Sequence, residues 1–182
     1  MIFVTVGAQM PFDRLILAVD AWAAAHPEIE VFAQIGDRAT PPRHMAHTVR
    51  LDSREFVAKV RSADMIVAHA GIGSILTALE HARAILVMPR RGDLGETRND
   101  HQLATARRFA ASSRVQVAKD EHDLAARLDE LTSPVCSQRF AAVPISAQAS
   151  PQLLAALNRF IMHGEVPHSA PARTSAPRAP AP

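Results

Sequence analysis

The chain is poor in the residues that most often advertise chemistry. It holds one cysteine, Cys136, in 182 residues, which excludes an internal disulfide and any zinc site built on cysteines, and suits a reducing compartment. Tyrosine is absent and aromatic residues make up 4% of the chain, too few for the stacking platforms of single-strand nucleic-acid binders. Lysine and arginine number 20 against 18 acidic residues, a formal charge of +2 with no basic block, so no nucleic-acid partner is expected. Charges interrupt every apolar stretch well before the ~18 residues of a membrane span. The opening MIFVTVGAQ has neither a basic n-region nor a long apolar run, so neither a spanning helix nor a signal peptide is expected.

What is present is an alternation of short apolar runs with helical patterns. IFVTV (2–6) is nearly continuous, rich in β-branched residues and ends at Gly7, the signature of a strand buried on both faces and therefore parallel. Leu15, Ile16, Val19 and Trp22 then recur at helical spacing until His26 and Pro27 stop the pattern. VFAQIG (31–36), TVRL (48–51), MIVA (65–68), AILVM (84–88) and VQVA (115–118) are further strands. A helix from about Ser53 carries Phe56, Val57 and Val60, another follows the stretch HAGIGS, and NDHQLATARRFAA places Asp100 in the first turn of a third. Asp120 caps a helix with Leu124, Leu128 and Leu131, and Ser150 followed by Pro151 starts a last one with Leu153, Leu154, Leu157, Phe160 and Ile161.

The expected architecture is α/β, a Rossmann-like doubly wound parallel sheet of about six strands in one domain over residues 1–163. The Pro/Ala-rich segment 164–182 is expected to be a disordered tail. Ligands of such sheets bind beyond the carboxyl ends of the strands. That rim carries Gly7 and Gln9, Gly36, the turn His69 to Ser74, and the long polar loop PRRGDLGETRNDHQ (89–102). Gly71 and Gly73 fit either a tight strand-to-helix turn or a cradle of outward amides for an anion such as a diphosphate. His69 fits a donor to phosphate or sugar, or a structural histidine bonded to backbone. A long loop between packed elements is costly to order without a role. Its Asn99, Asp100, His101 and Gln102 fit ligand contact, or capping with Gln102 completing a capping box. Glu96, Asp100 and His101 match no specific metal-binding spacing.

The ordered set VTVGAQ, ADMIVAHAGIGSILTAL, ILVMPR and NDHQLATA resembles the C-terminal, donor-binding half of family 28 glycosyltransferases of GT-B architecture. It is most similar to stand-alone versions of that half, the small subunits of split enzymes and of bacterial exopolysaccharide transferases. The resemblance implies a site for a UDP-sugar, with the amides around Gly71, Gly73 and Ser74 on the diphosphate, His69 beside it, and Asn99 to Gln102 reaching toward sugar or ribose. Where many relatives carry a glutamate for the ribose hydroxyls, this chain has Thr77, with Glu80 further along.

The resemblance further implies a second, membrane-anchored subunit that binds a lipid-linked acceptor and supplies the general base, at the cytoplasmic face of a membrane. The chemistry implied is metal-independent hexosyl transfer, the departing nucleotide being stabilised by amides and helix dipole without a cofactor. The alternative is a non-catalytic scaffold or regulatory module, which Thr77 favours; a sugar-nucleotide epimerase would need another domain.

Overall fold

The computed structural model describes residues 1–110, 115–133 and 151–163; Cys136, Ser150 and the segment 164–182 lie outside the described residues. The chain divides into two compact units, Met1–Ile145 and Ser146–Pro182. The first contains strands β1 (Ile2–Thr5), β2 (Val31–Gln34), β3 (Ala46–Thr48), β4 (Met65–His69), β5 (Ala84–Met88) and β6 (Gln116–Val117). They form one sheet in the order β3-β2-β1-β4-β5-β6 with every pairing parallel. Helices α1 (Asp13–Ala25), α2 (Ser53–Ser62), α3 (Ile72–Glu80), α4 (His101–Ala110) and α5 (Glu121–Thr132) complete it. This is the expected doubly wound, Rossmann-like α/β fold.

The continuous apolar strands arise because the sheet is covered on both faces. Alternate residues of β1, β2, β4 and β5 enter different cores. Val4, Val67, Leu86 and Met88 pack with Leu15, Ile16, Val19, Leu124 and Leu128 of α1 and α5. Phe3, Ile66, Ile85 and Val87 pack with Val60, Ile75, Ala78, Leu79 and Ala106 of α2, α3 and α4.

Local signals set the helix starts. Asp52 and Glu55 form a reciprocal capping box at α2, and the Asp120 carboxylate accepts from the amides of His122 and Asp123 at α5, as expected. Strand β3 lies earlier than TVRL suggests. It is an edge strand whose residues are exposed or half-buried, so no core face imposes alternation. Leu51 belongs instead to the turn into α2, where it packs against the second core.

No helix bridges β2 and β3. The loop 35–45 is fastened to α1 by two aspartates. Asp20, only 6% exposed, accepts from the amides of Arg43 (3.0 Å) and His44 (2.7 Å) and lies 3.1 Å from His44 Nδ1. Burial alone would raise the Asp20 carboxyl, but these hydrogen bonds hold it below the ordinary carboxylate range. Asp13 accepts from the Thr40 hydroxyl at 2.6 Å.

The second unit contains α6 (Pro151–His163), which begins with its proline in the first turn as expected. Leu153, Leu154, Leu157, Ile161 and Met162 are exposed on it. No helix among the described residues is long and apolar enough to cross a membrane.

Candidate functional site

The strand order places a crevice between β1 and β4. The chain leaves β1 toward β2 and returns only at β4, so the loops beyond these neighbouring strands diverge. A cavity of about 310 Å3 lies there, lined by Val6, Gly7, Ala8, Gln9, Met10, His69, Arg90, Glu96, Thr97 and Gln102.

The loop after β1 is built on a buried polar network. The Thr5 hydroxyl donates to Gln34 Oε1 at 2.6 Å and accepts from the Gly7 amide at 3.3 Å, while Gln34 Nε2 donates to the Gly7 carbonyl at 3.0 Å. Gly7 is thereby held at φ +78°, a conformation glycine adopts without a Cβ penalty. Beyond it the amides of Ala8, Gln9 and Met10 donate no hydrogen bond among the described residues, and all three residues line the cavity.

His69 closes β4 beneath this loop. A Cβ on Gly7 would stand 2.8 Å from its Cε1, and one on Gly71 would collide with Nε2, so the imidazole packs against both glycines. Its Nδ1 is buried without a hydrogen-bond partner among the described residues. Burial and then the neighbouring Arg90 charge push the ring down to about 4, the Thr5 backbone opposing. His69 is therefore neutral at pH 7, able to present one donor and one acceptor nitrogen and no charge.

The opposite wall is the segment from Pro89 to Gln102, tied down by arginines. Arg90, 4% exposed, donates to the carbonyls of Val6 (2.8 Å), Met10 (2.6 Å), Pro11 (2.5 Å) and Glu96 (3.2 Å), with its guanidinium 4.7 Å from the Phe12 ring centroid. Burial brings Arg90 down to about 10, with Glu96 opposing, so it stays cationic at pH 7. Glu96 faces Arg14 of α1, accepting from Nε at 2.7 Å and Nη2 at 2.9 Å. Arg14 also reaches Glu121 at 3.1 Å and the Pro89 carbonyl at 3.1 Å.

Of the residues singled out in the sequence, the cavity gathers Gly7, Gln9, His69, Glu96 and Gln102. Gly71 is the N-cap residue of α3, and Gly73 and Ser74 fall in its first turn. The amides of Ile72, Gly73 and Ser74 have no partner among the described residues, and a Cβ on Gly73 would meet nothing within 4 Å. Thr77 turns its hydroxyl back to the Gly73 carbonyl at 2.9 Å, within its own helix.

Helix α4 starts at His101, so Asp100 precedes it rather than occupying its first turn. The capping box does not form, because Gln102 Oε1 accepts from the Arg90 amide at 3.2 Å. Asn99 Oδ1 accepts from the His101 amide at 3.3 Å and Asp100 Oδ1 from the Gly92 amide at 3.1 Å. Asn99, Asp100 and His101 are exposed and outside the cavity wall.

Sequence reasoning missed Arg90, Thr5 and Gln34. Arg90 stands beside an identical residue, Arg91, and only the carbonyls of a loop remote in sequence decide which is buried. Gln34 in an apolar strand was the available signal for a buried polar network.

A family model described as glycosyltransferase family 28 C-terminal domain matches residues 1–155. A comparison with curated proteins finds no match. Among solved structures, the chain is similar to the glycotransferase of kitacinnamycin, with 20% identity, a TM-score of 0.57 and coverage of 76% of this chain and 37% of that one. It is similar to a UDP-glucose:anthocyanidin 3-O-glucosyltransferase in complex with UDP (11%, 0.58, 77% and 33%). It is also similar to the UDP-GlcNAc 2-epimerase of Neisseria meningitidis bound to UDP-GlcNAc (12%, 0.55, 78% and 39%). These likenesses show the fold, and the chain spans well under half the length of each of these structures.

Proposed function

The chain belongs to the glycosyltransferase family 28 C-terminal domains, and we propose that it is the donor-binding subunit of a two-subunit hexosyltransferase that uses a UDP-sugar. The observation that carries this reading is the pair of amide sets beside the crevice that have no partner among the described residues, Ala8 to Met10 on one loop and Ile72 to Ser74 at the start of α3. Amides of this kind, with the α3 dipole and the Arg90 cation, suit the two charges of a diphosphate. Neutral His69, Gln9 and Gln102 supply hydrogen-bonding groups without charge, as a sugar or ribose requires. The UDP and UDP-GlcNAc in the similar solved structures support a uridine nucleotide as donor.

In the reaction proposed, the bond between the anomeric carbon and the diphosphate oxygen breaks as an acceptor hydroxyl attacks that carbon. The developing charge on the diphosphate meets donors already in place, so stabilisation needs neither reorganisation nor a bound metal or other cofactor. The acceptor's proton leaves to a base on a second subunit. We place that partner at the cytoplasmic face of a membrane, where it holds a lipid-linked acceptor for exopolysaccharide synthesis.

Thr77 favours a second reading, a non-catalytic module of the same shape, because its hydroxyl is spent on Gly73 and it offers no carboxylate to a ribose. Thermal shift and calorimetric titration with UDP-, GDP- and TDP-sugars separate the two. A UDP-sugar that binds and protects the amides of 7–10 and 71–74 from exchange supports the donor reading. No response to any nucleotide sugar, alone or with the partner, leaves the scaffold.

A further inference from the structure

Glu96 is the one acidic side chain in the cavity wall among the described residues. At a site for a diphosphate a free carboxylate there would repel the ligand. Here its charge is taken up by Arg14, whose planar fork engages both oxygens, and Oε2 also accepts from the Arg91 amide at 2.8 Å. The pair is well shielded, with the side chains 14% and 13% exposed.

Arg90 has the opposite arrangement. All four of its side-chain hydrogen bonds go to backbone carbonyls, and no ion pair to it exists among the described residues. Glu96 lies beside it: its backbone carbonyl accepts from Nη1 at 3.2 Å, and its charge favours the protonated guanidinium. Arg14, with the Arg91 amide, holds the Glu96 carboxylate off a direct pairing with the cavity's cation.

We infer that Arg14 is a positioning residue which reserves the positive charge of Arg90 for the donor diphosphate, by holding Glu96 away from it. The inference rests on the reading of this cavity as the donor site. Arg14 does not touch the ligand. It acts through Glu96, and its contacts to the Pro89 carbonyl and Glu121 fix the direction from which it does so.

Calorimetric titration of the full chain with UDP, at low and moderate salt, tests this on three variants. Arg14→Gln makes the local charge more negative by one unit and releases Glu96, and weakens UDP binding about tenfold, the scale of one uncompensated charge at a partly screened site. Glu96→Gln alone makes it more positive and tightens binding. The double variant restores the original balance and most of the affinity, although the latch between α1 and the loop is lost.

A purely structural latch predicts that both single variants and the double bind weakly together. Arg14→Gln binding as tightly as the parent, or a double variant as weak as Arg14→Gln, overturns the inference. If Arg14→Gln does not fold, Glu96→Gln decides: tighter UDP binding supports the charge role and weaker binding overturns it. If the parent chain itself fails to bind UDP, the donor reading falls, and this inference with it.

Discussion

The imidazole of His69 occupies the space that a side chain at Gly71 would need: a Cβ built there runs into Nε2. The second glycine of this sandwich, Gly7, approaches from the loop after β1, so the ring is closed in by two backbones and its Nδ1 is left without a partner among the described residues.

That enclosure has a pH consequence. Burial and Arg90 bring the His69 ring to about 4 from its ordinary 6.5. The unfolded chain then binds the proton more readily than the folded one between these values, so stability is full above about pH 6.5 and declines as pH falls toward 4. The loss amounts to about 3 kcal/mol at most. The melting temperature of the parent should fall across this window, and His69→Gln should flatten the slope whatever it does to the absolute value. An unchanged slope in the variant would show that the ring is not enclosed as described.

The Thr5 hydroxyl serves two partners at once, Gln34 Oε1 and the Gly7 amide. Thr5→Val preserves shape and removes both bonds, leaving a buried acceptor and a donor unsatisfied. The expected cost is about 1–3 kcal/mol, read as a lower urea midpoint with unchanged m-value. Because the network fixes the loop that carries the amides of Ala8 to Met10, UDP affinity should fall in the same variant.

The parts of the fold legible in the sequence are those that the cores dictate. IFVTV, MIVA and AILVM stand out because a parallel strand covered on both faces leaves few polar positions, Thr5 being satisfied by Gln34, and Leu124, Leu128 and Leu131 mark the buried stripe of α5. Strand β3 was misplaced because an edge strand of exposed residues carries no such demand. At the site, the glycines and His69 were legible as a group, but the reason for Gly71 was not: it accommodates a histidine two residues earlier. Gln102 fits a capping box or a ligand contact in the sequence; in the fold its carbonyl oxygen holds the Arg90 amide across the loop, and the residue lines the cavity. Contacts between rim loops distant in sequence leave no periodicity, and that is why Arg90 and the Arg14–Glu96 pair emerge only from the fold.

Asp20 fastens the helix-free crossover between β2 and β3. Asp20→Ala leaves the amides of Arg43 and His44 without their acceptor, at an expected cost of about 2 kcal/mol, as for hydrogen bonds to a charged group. Hydrogen exchange should quicken at Arg43 and His44 first, with the amides of β1 and β4 changing only through global unfolding. Equal acceleration throughout the sheet would mean that the loop is held by something else.

The two glycines of HAGIGS separate structure from binding. Gly71→Ala forces a methyl group into the His69 ring, which Gly7 and the sheet prevent from retreating; a loss of about 1–3 kcal/mol is expected, as for other overpacked sites. Gly73→Ala meets open space at a position that is already helical and not at positive φ, so thermal stability should hold or rise by up to about 1 kcal/mol. The same methyl group stands beside the unpartnered amides at the start of α3, where a diphosphate would have to approach. Gly73→Ala should therefore weaken UDP binding without unfolding the chain, while Gly71→Ala lowers the melting temperature. If Gly73→Ala binds UDP as tightly as the parent, the start of α3 is not where the phosphates sit, and the amides of Ala8 to Met10 must hold them alone.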